Sequence, residues 1–282
     1  MHAEGGVKVQ ASATRAAGQV AAQASLRILG VGLDFDSISE RLRLGPSDTH
    51  RKGDHGVISR PYPSDMWLFD SPLPRSEPLD THILWLRHVL SPRYESLRSF
   101  MKQYDVSVYC GITVEGATCS FAISPEALSV FVELDIPFDL TYIFTGYSEP
   151  ACSEGLRVED VAVANRPGTT GTVESGCEVE LRVVSGGRKL GEGSVLASSG
   201  VSEPLRVPVD RRAAPDEHLR WLAGFLEEGA DVISSWRKSS SVLVRCDLDV
   251  ENDYGEFSLS GAAMAPLLRA AIPLEFCISL TG

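Results

Sequence analysis

Two histidines stand three residues ahead of tryptophans, in HILWLRHVL from His82 and in HLRWLAGFL from His218. On a helix His82 shares one face with Trp85, Leu86 and Val89 or Leu90, the arrangement of an amphipathic helix. A histidine acting as general base needs a nucleophile or partner acid within reach, and no such group recurs beside both. His82, Trp85, His218 and Trp221 therefore read as structural residues. Lys52-Gly53-Asp54 offers different chemistry: a glycine turn that presents an ammonium and a carboxylate side by side. With Asp34 and Trp67 it could line a small ligand pocket; the competing reading is a solvated turn with a weak surface ion pair. Asp34 and Asp36 open a helical segment, where carboxylates serve as cap and dipole partners rather than metal ligands.

The six cysteines lack any C-x-x-C spacing, so neither a disulfide framework nor a zinc site is expected. Cys110, Cys119 and Cys246 fall on the apolar face of alternating segments, as packed free thiols do. No G-x-S-x-G, P-loop, H-E-x-x-H or Rossmann fingerprint occurs. The segment GGRKLG from Gly186 lacks phosphate-loop spacing and reads as a hairpin turn. No catalytic residue, metal or cofactor is assigned.

The elements that position these residues show a repeat. His82 and His218 are 136 positions apart, and the same offset relates Trp85 to Trp221, Lys102 to Lys238, Cys110 to Cys246, Phe121 to Phe257, Ser124 to Ser260 and Ile136-Pro137 to Ile272-Pro273, without a gap. This reads as a tandem duplication of one supersecondary unit. The pattern within a unit is consistent. Thr81 or Asp80 can cap a helix over His82–Leu90, and Ser91-Pro92 restarts it toward Tyr104. Val106, Val108, Cys110, Ile112 and Val114 alternate as one face of a strand. A turn at Glu115-Gly116 returns the chain through Cys119, Phe121 and Ile123; Ser124-Pro125 caps a helix to Leu134, and Phe138–Phe144 alternate as the last strand. Pro266 falls inside the second unit's last helix and is expected to delay or kink it.

Upstream, LRILGVGL (Leu26–Leu33) supplies the first strand, giving the order β-α-β-β-α-β of a ferredoxin-like unit. An insertion follows that strand, with a helix at DSISERLRL, the loop RKGDHG and a strand at DMWLFDS. The second unit has two candidate first strands, from Leu156 and from Cys177. The expected fold is thus α+β: a flexible tail over 1–24, a first ferredoxin-like unit over 25–146, and a second, degenerate unit over 147–282.

The segment LRILGVGLDFDSISERLRLGPS, together with Lys52-Gly53-Asp54, Trp67, the Trp85-Leu86 helix and the strand near Phe138–Phe144, resembles the family catalogued as domain of unknown function 4279. The resemblance covers Leu26 to Gly146 and implies no activity. The second unit keeps the half from main helix to last strand, and lacks the Lys-Gly-Asp triplet and a Trp67 equivalent.

A formal charge of −12 with a sequence pI near 5.0 leaves no basic face for phosphates, which argues against nucleic-acid binding. No run reaches the length of a membrane span, and the Ala/Gly-rich N-terminus lacks a signal-type apolar region. The expectation is a cytoplasmic monomer with two packed repeats, a non-catalytic interaction module that meets a basic protein in the manner of an immunity protein or antitoxin. The alternative is a ligand binder or enzyme built on the Lys52–Trp67 insertion.

Overall fold

A computed structural model describes residues 20–55, 61–145, 176–185 and 205–280. The expected strand from Leu156, Cys152, the turn at Gly186 and most of the N-terminal tail lie outside them.

The first strand, β1 (Val20–Gly30), starts within the segment that composition assigned to the tail. Ala22 and Ala24 alternate inward there and are buried. The insertion holds α1 (Phe35–Leu42), β2 (Asp48–His50) and β3 (Asp65–Asp70). The main helix, α2 (Leu79–Leu90), passes through a 3₁₀ turn at Ser91–Arg93 into α3 (Tyr94–Met101). Then come β4 (Asp105–Glu115), β5 (Thr118–Ile123), α4 (Pro125–Leu134) and β6 (Phe138–Thr145). The later part of the chain supplies β7 (Gly176–Ser185), β8 (Leu205–Arg206), α5 (Pro215–Glu228), α6 (Ala230–Ser239), β9 (Ser240–Val250), β10 (Tyr254–Leu259), α7 (Gly261–Arg269) and β11 (Leu274–Leu280).

The strands form two mixed sheets, in the orders β10-β6-β4-β1-β3-β2 and β5-β11-β9-β7-β8. Neither is the ferredoxin-like sheet expected from the element order. A split β-α-β unit leaves a strand between the two it connects, whereas β1 and β4 are direct antiparallel neighbours and β4 and β6 direct parallel ones. The hairpin expected at Glu115-Gly116 does not form. With β1 on one edge and β6 on the other, β4 has no ladder free for β5. The chain turns at Gly116, whose φ of +121° suits glycine, and β5 joins the second sheet beside β11.

The exchange is reciprocal. β5 pairs with β11 as Thr118↔Ser279 through Ile123↔Leu274, and β10 pairs with β6 as Tyr254↔Ile143 through Leu259↔Phe138. Every partner in one set is 136 positions from its counterpart in the other. The first-strand question is settled the same way: Cys177↔Leu248 in β7–β9 reproduces Ala22↔Ile112 in β1–β4 at the same β9 offset. Leu26↔Phe69 corresponds to Leu181↔Leu205, so the strand from Cys177 takes the β1 position.

Ser124 caps α4 and Ser260 caps α7, each hydroxyl accepting from the third residue of its helix. Asp80 does not cap its own helix. Its carboxylate accepts from the Ser124 N–H (2.7 Å) and hydroxyl (2.9 Å), and Asp216 does the same to Ser260 (2.7 and 2.8 Å). α7 runs from Gly261 through Pro266 without a late start. One buried cluster runs through both sheets and the helices. At its centre Phe138 of β6 stacks on Phe276 of β11 at 6.0 Å, with Phe121 and Phe257 against Phe276 at 5.1 and 5.4 Å.

Candidate functional site

Of the insertion, β3 corresponds to β8, while α1 and β2 have no counterpart among the described residues of the later half; its loops are organised by one residue that sequence reasoning missed. Asp65, first in β3 and 4% exposed, accepts at Oδ2 from the Leu33 N–H (2.8 Å) and Arg51 Nη1 (3.2 Å), and at Oδ1 from the Lys52 N–H (2.7 Å). Burial alone would raise its pKa; the N–H groups of Lys52 and Leu33, with Arg51 and Gly32, outweigh that and hold the carboxyl below its ordinary range. Arg51 also donates to the Leu33 carbonyl (2.5 Å) and lies over the Phe35 ring, 3.8 Å from its centroid. One carboxylate thus ties the β1–α1 loop, the Arg51–Asp54 turn and β3 together.

The Lys52-Gly53-Asp54 turn is closed within itself. Asp54 accepts from the Arg51 N–H (2.9 Å) through its carboxylate, and Gly53 has φ +90°. Backbone bonds join Gly53 to Tyr62 and Tyr62 to Asp54, each 2.9 Å. Lys52 and Asp54 are exposed. Next to the turn the His50 ring stacks on Tyr62 with centroids 3.6 Å apart; burial lowers its pKa, against the smaller opposing pull of Asp48, Asp54 and Asp65.

Asp34 is the N-cap of α1, accepting from the Ser37 N–H at 3.0 Å. Trp67 is fully buried; its indole N–H donates to Ser39 (3.1 Å), and its ring leads through Phe69 to Trp85 at centroid spacings of 6.2 and 5.8 Å. The four residues proposed as a pocket lining are thus divided: two in an exposed turn, one at a helix cap, one in the core. No sequence signal separates Asp65 from any other aspartate at the edge of an apolar run.

His82 and His218 are buried in α2 and α5. His82 Nδ1 is 3.0 Å from the Ser71 hydroxyl, and His218 Nε2 is 3.1 Å from the Asp210 carbonyl. Burial lowers both pKa values, while the carbonyls of Pro74 and Asp210, themselves 136 positions apart, raise them by less. Burial therefore favours the neutral form of both rings. Trp85 is half-buried, and Trp221, its counterpart, is 40% exposed.

Burial pushes the Cys119 and Cys177 thiols up to about 12, and those of Cys110 and Cys246 well above the ordinary value. None is a thiolate at neutral pH. Among the described residues no group of three or more His, Cys, Asp or Glu could hold a metal ion, and no helix is long and apolar enough to cross a membrane.

The sheet faces turned away from the helices carry charge. On the second sheet Arg182, Arg206 and Arg245, with Arg211 from the loop before α5, pair with Glu178, Glu180, Asp247, Asp249 and Glu275. On the first sheet Arg27 bonds to Asp139 of β6 at 2.7 Å, and Asp139 also accepts from Ser258 of β10 at 2.7 Å. That bond fastens an exchanged strand to its host.

These features define an α+β protein whose two mixed sheets are joined by reciprocal strand exchange, with one sheet extended by a loop-bearing insertion. Residues 19–145 match the model of a family described as Domain of unknown function (DUF4279), so this part of the chain is similar to that family. The match ends at the last residue of β6 and includes β5, the strand that pairs outside it. Neither the curated proteins nor the solved structures contain a match to the chain.

Proposed function

We propose that the protein is a non-catalytic interaction module, acidic in the manner of an immunity protein or antitoxin, whose partner is a basic protein. The observation that carries this reading is the engagement of its reactive side chains in structure. His82 and His218 each bond to a preceding loop through one ring nitrogen, Cys110, Cys119, Cys177 and Cys246 are buried thiols, and the buried carboxylate at the insertion accepts three donors. A general acid or nucleophile must be accessible to exchange protons or attack; the two histidines, these four thiols and the Asp65 carboxylate are buried.

A charge of −12 repels phosphate-rich partners and speeds encounter with a basic surface. The insertion is the asymmetric feature, and its exposed Lys52 and Asp54 on a rigid turn are suited to setting specificity. Duplication of one unit accounts for the common 136-residue offset of the strand pairs, and the compartment that fits the packed thiols is the cytoplasm.

Affinity capture from the native cell, at low salt and at 0.5 M salt, tests the reading. A stoichiometric basic protein that is released as the Debye length shrinks to about 4 Å is expected. Recovery of no protein, together with a small metabolite that raises the melting temperature, would replace it with the ligand-binding alternative.

A further inference from the structure

The family unit ending at Thr145 is incomplete by itself. Its β4 is flanked by β1 and β6, so β5 cannot fold back onto the strand that precedes it. The outer edge of β6 is taken by β10, from the other half of the chain. Each half therefore gives one strand and receives one, in the same register, and the aromatic contacts of Phe121, Phe138, Phe257 and Phe276 close the junction from both sides. The helices that follow the exchanged strands start tied to their own halves, where Asp80 holds Ser124 before α4 and Asp216 holds Ser260 before α7, and they pack against each other across the junction. The surface is isologous in form: what β5 does to β11, β10 does to β6. Such self-complementary surfaces characterise two-fold dimers.

We propose that the junction between the halves is a dimerisation surface whose partner is a second unit of the same kind, supplied here by the later half of the same chain. The recognition resides in the exchanged strands and the aromatic cluster, and covalent linkage of the two halves raises the local concentration of the partner. A first half deprived of its later half takes up another first half, with Thr118–Ile123 of one lying along Phe138–Ile143 of the other.

The test uses the full-length chain with a site-specific protease sequence placed within 146–175 and cleaved after folding. Size-exclusion chromatography and native mass spectrometry should find the two fragments together at the mass of the uncut protein. The melting temperature should become concentration-dependent, as for any bimolecular fold. Mixing with an isotopically heavy cleaved sample should give hybrid pairs, and native spectra should also contain paired first fragments. A second variant reports on the strand exchange itself: with Thr118→Cys and Ser279→Cys, paired across β5 and β11, oxidation should keep the cleaved fragments linked on a non-reducing gel. Fragments that separate as folded monomers, or a cysteine pair that fails to join them while they co-elute, would overturn the proposal.

Discussion

Replacing Asp65 with alanine removes the acceptor for three donors at once. The Leu33 N–H is buried and the Lys52 N–H partly so, and an orphaned buried donor costs about 1–3 kcal/mol. The Arg51 side chain is half exposed and rehydrates when its partner leaves, so the ion pair itself contributes less than about 1 kcal/mol. The backbone donors dominate, and the total is about 2–5 kcal/mol. At roughly 2–4 °C per kcal/mol for a chain of this size, the melting temperature should fall by roughly 5–15 °C. The pH dependence has a definite sign. The folded carboxyl has a lowered pKa, so its contribution is complete above the unfolded value of about 3.9 and is lost as pH falls through the folded value. Thermal melts of both proteins should therefore differ most at neutral pH and converge in acid. Equal melting at pH 7, or a gap that stays unchanged down to pH 2, would show that Asp65 does not organise the loops.

Trp67→Ala should cost about 3–5 kcal/mol, as for a fully buried aromatic, and Trp85→Ala, whose ring is half-buried, clearly less; chemical denaturation ranks them. Asp80→Ala and Asp216→Ala should destabilise by comparable amounts, about 1–3 kcal/mol each, because each removes the same two bonds to a helix-cap serine and the further Asp216–Arg220 pair, exposed on its Arg220 side, contributes less than about 1 kcal/mol; a difference in stability well beyond that would contradict the structural equivalence. The histidines have lowered pKa values in the folded state, so the unfolded chain binds protons first and stability should decline as pH falls below about 6.5. A chain carrying His82→Asn and His218→Asn should show a flatter decline between pH 6.5 and 5 in the same melts, and an unchanged slope would mean that neither ring is held neutral.

Much of the fold was legible because it depends on local periodicity. Alternation at Val106–Val114 marks β4 whatever its neighbours, and Ser124-Pro125 specifies a helix start through a hydroxyl and a preset φ. The 136-residue offset, read from His82 and Trp85 against His218 and Trp221, extends into the structure as identical strand registers. Three local readings needed adjustment, the first being that α7 starts at Gly261 despite Pro266. Ala22 and Ala24 look like tail residues by composition but are buried in β1, and Asp80 reaches past its own helix to Ser124.

The chain order of the elements, the alternation of their faces and the acidity of the surface were determined by the sequence, because each depends on residues close together along the chain. Which edges meet was decided only by the tertiary structure. The residues Glu115–Thr118 have the length of a hairpin turn and, taken locally, favour one; the fold refuses it because both edges of β4 are already occupied by β1 and β6. The candidate site was resolved on the same level. Lys52, Asp54, Asp34 and Trp67 are near one another in sequence pattern, yet burial separates Trp67 from the exposed turn, and the group that joins the loops is Asp65, whose role depends on three donors brought to it from β1's end, the Arg51 side chain and the Lys52 backbone. Hydrogen-bond satisfaction of a buried charge is a property of the packed chain, and no spacing along the sequence encodes it.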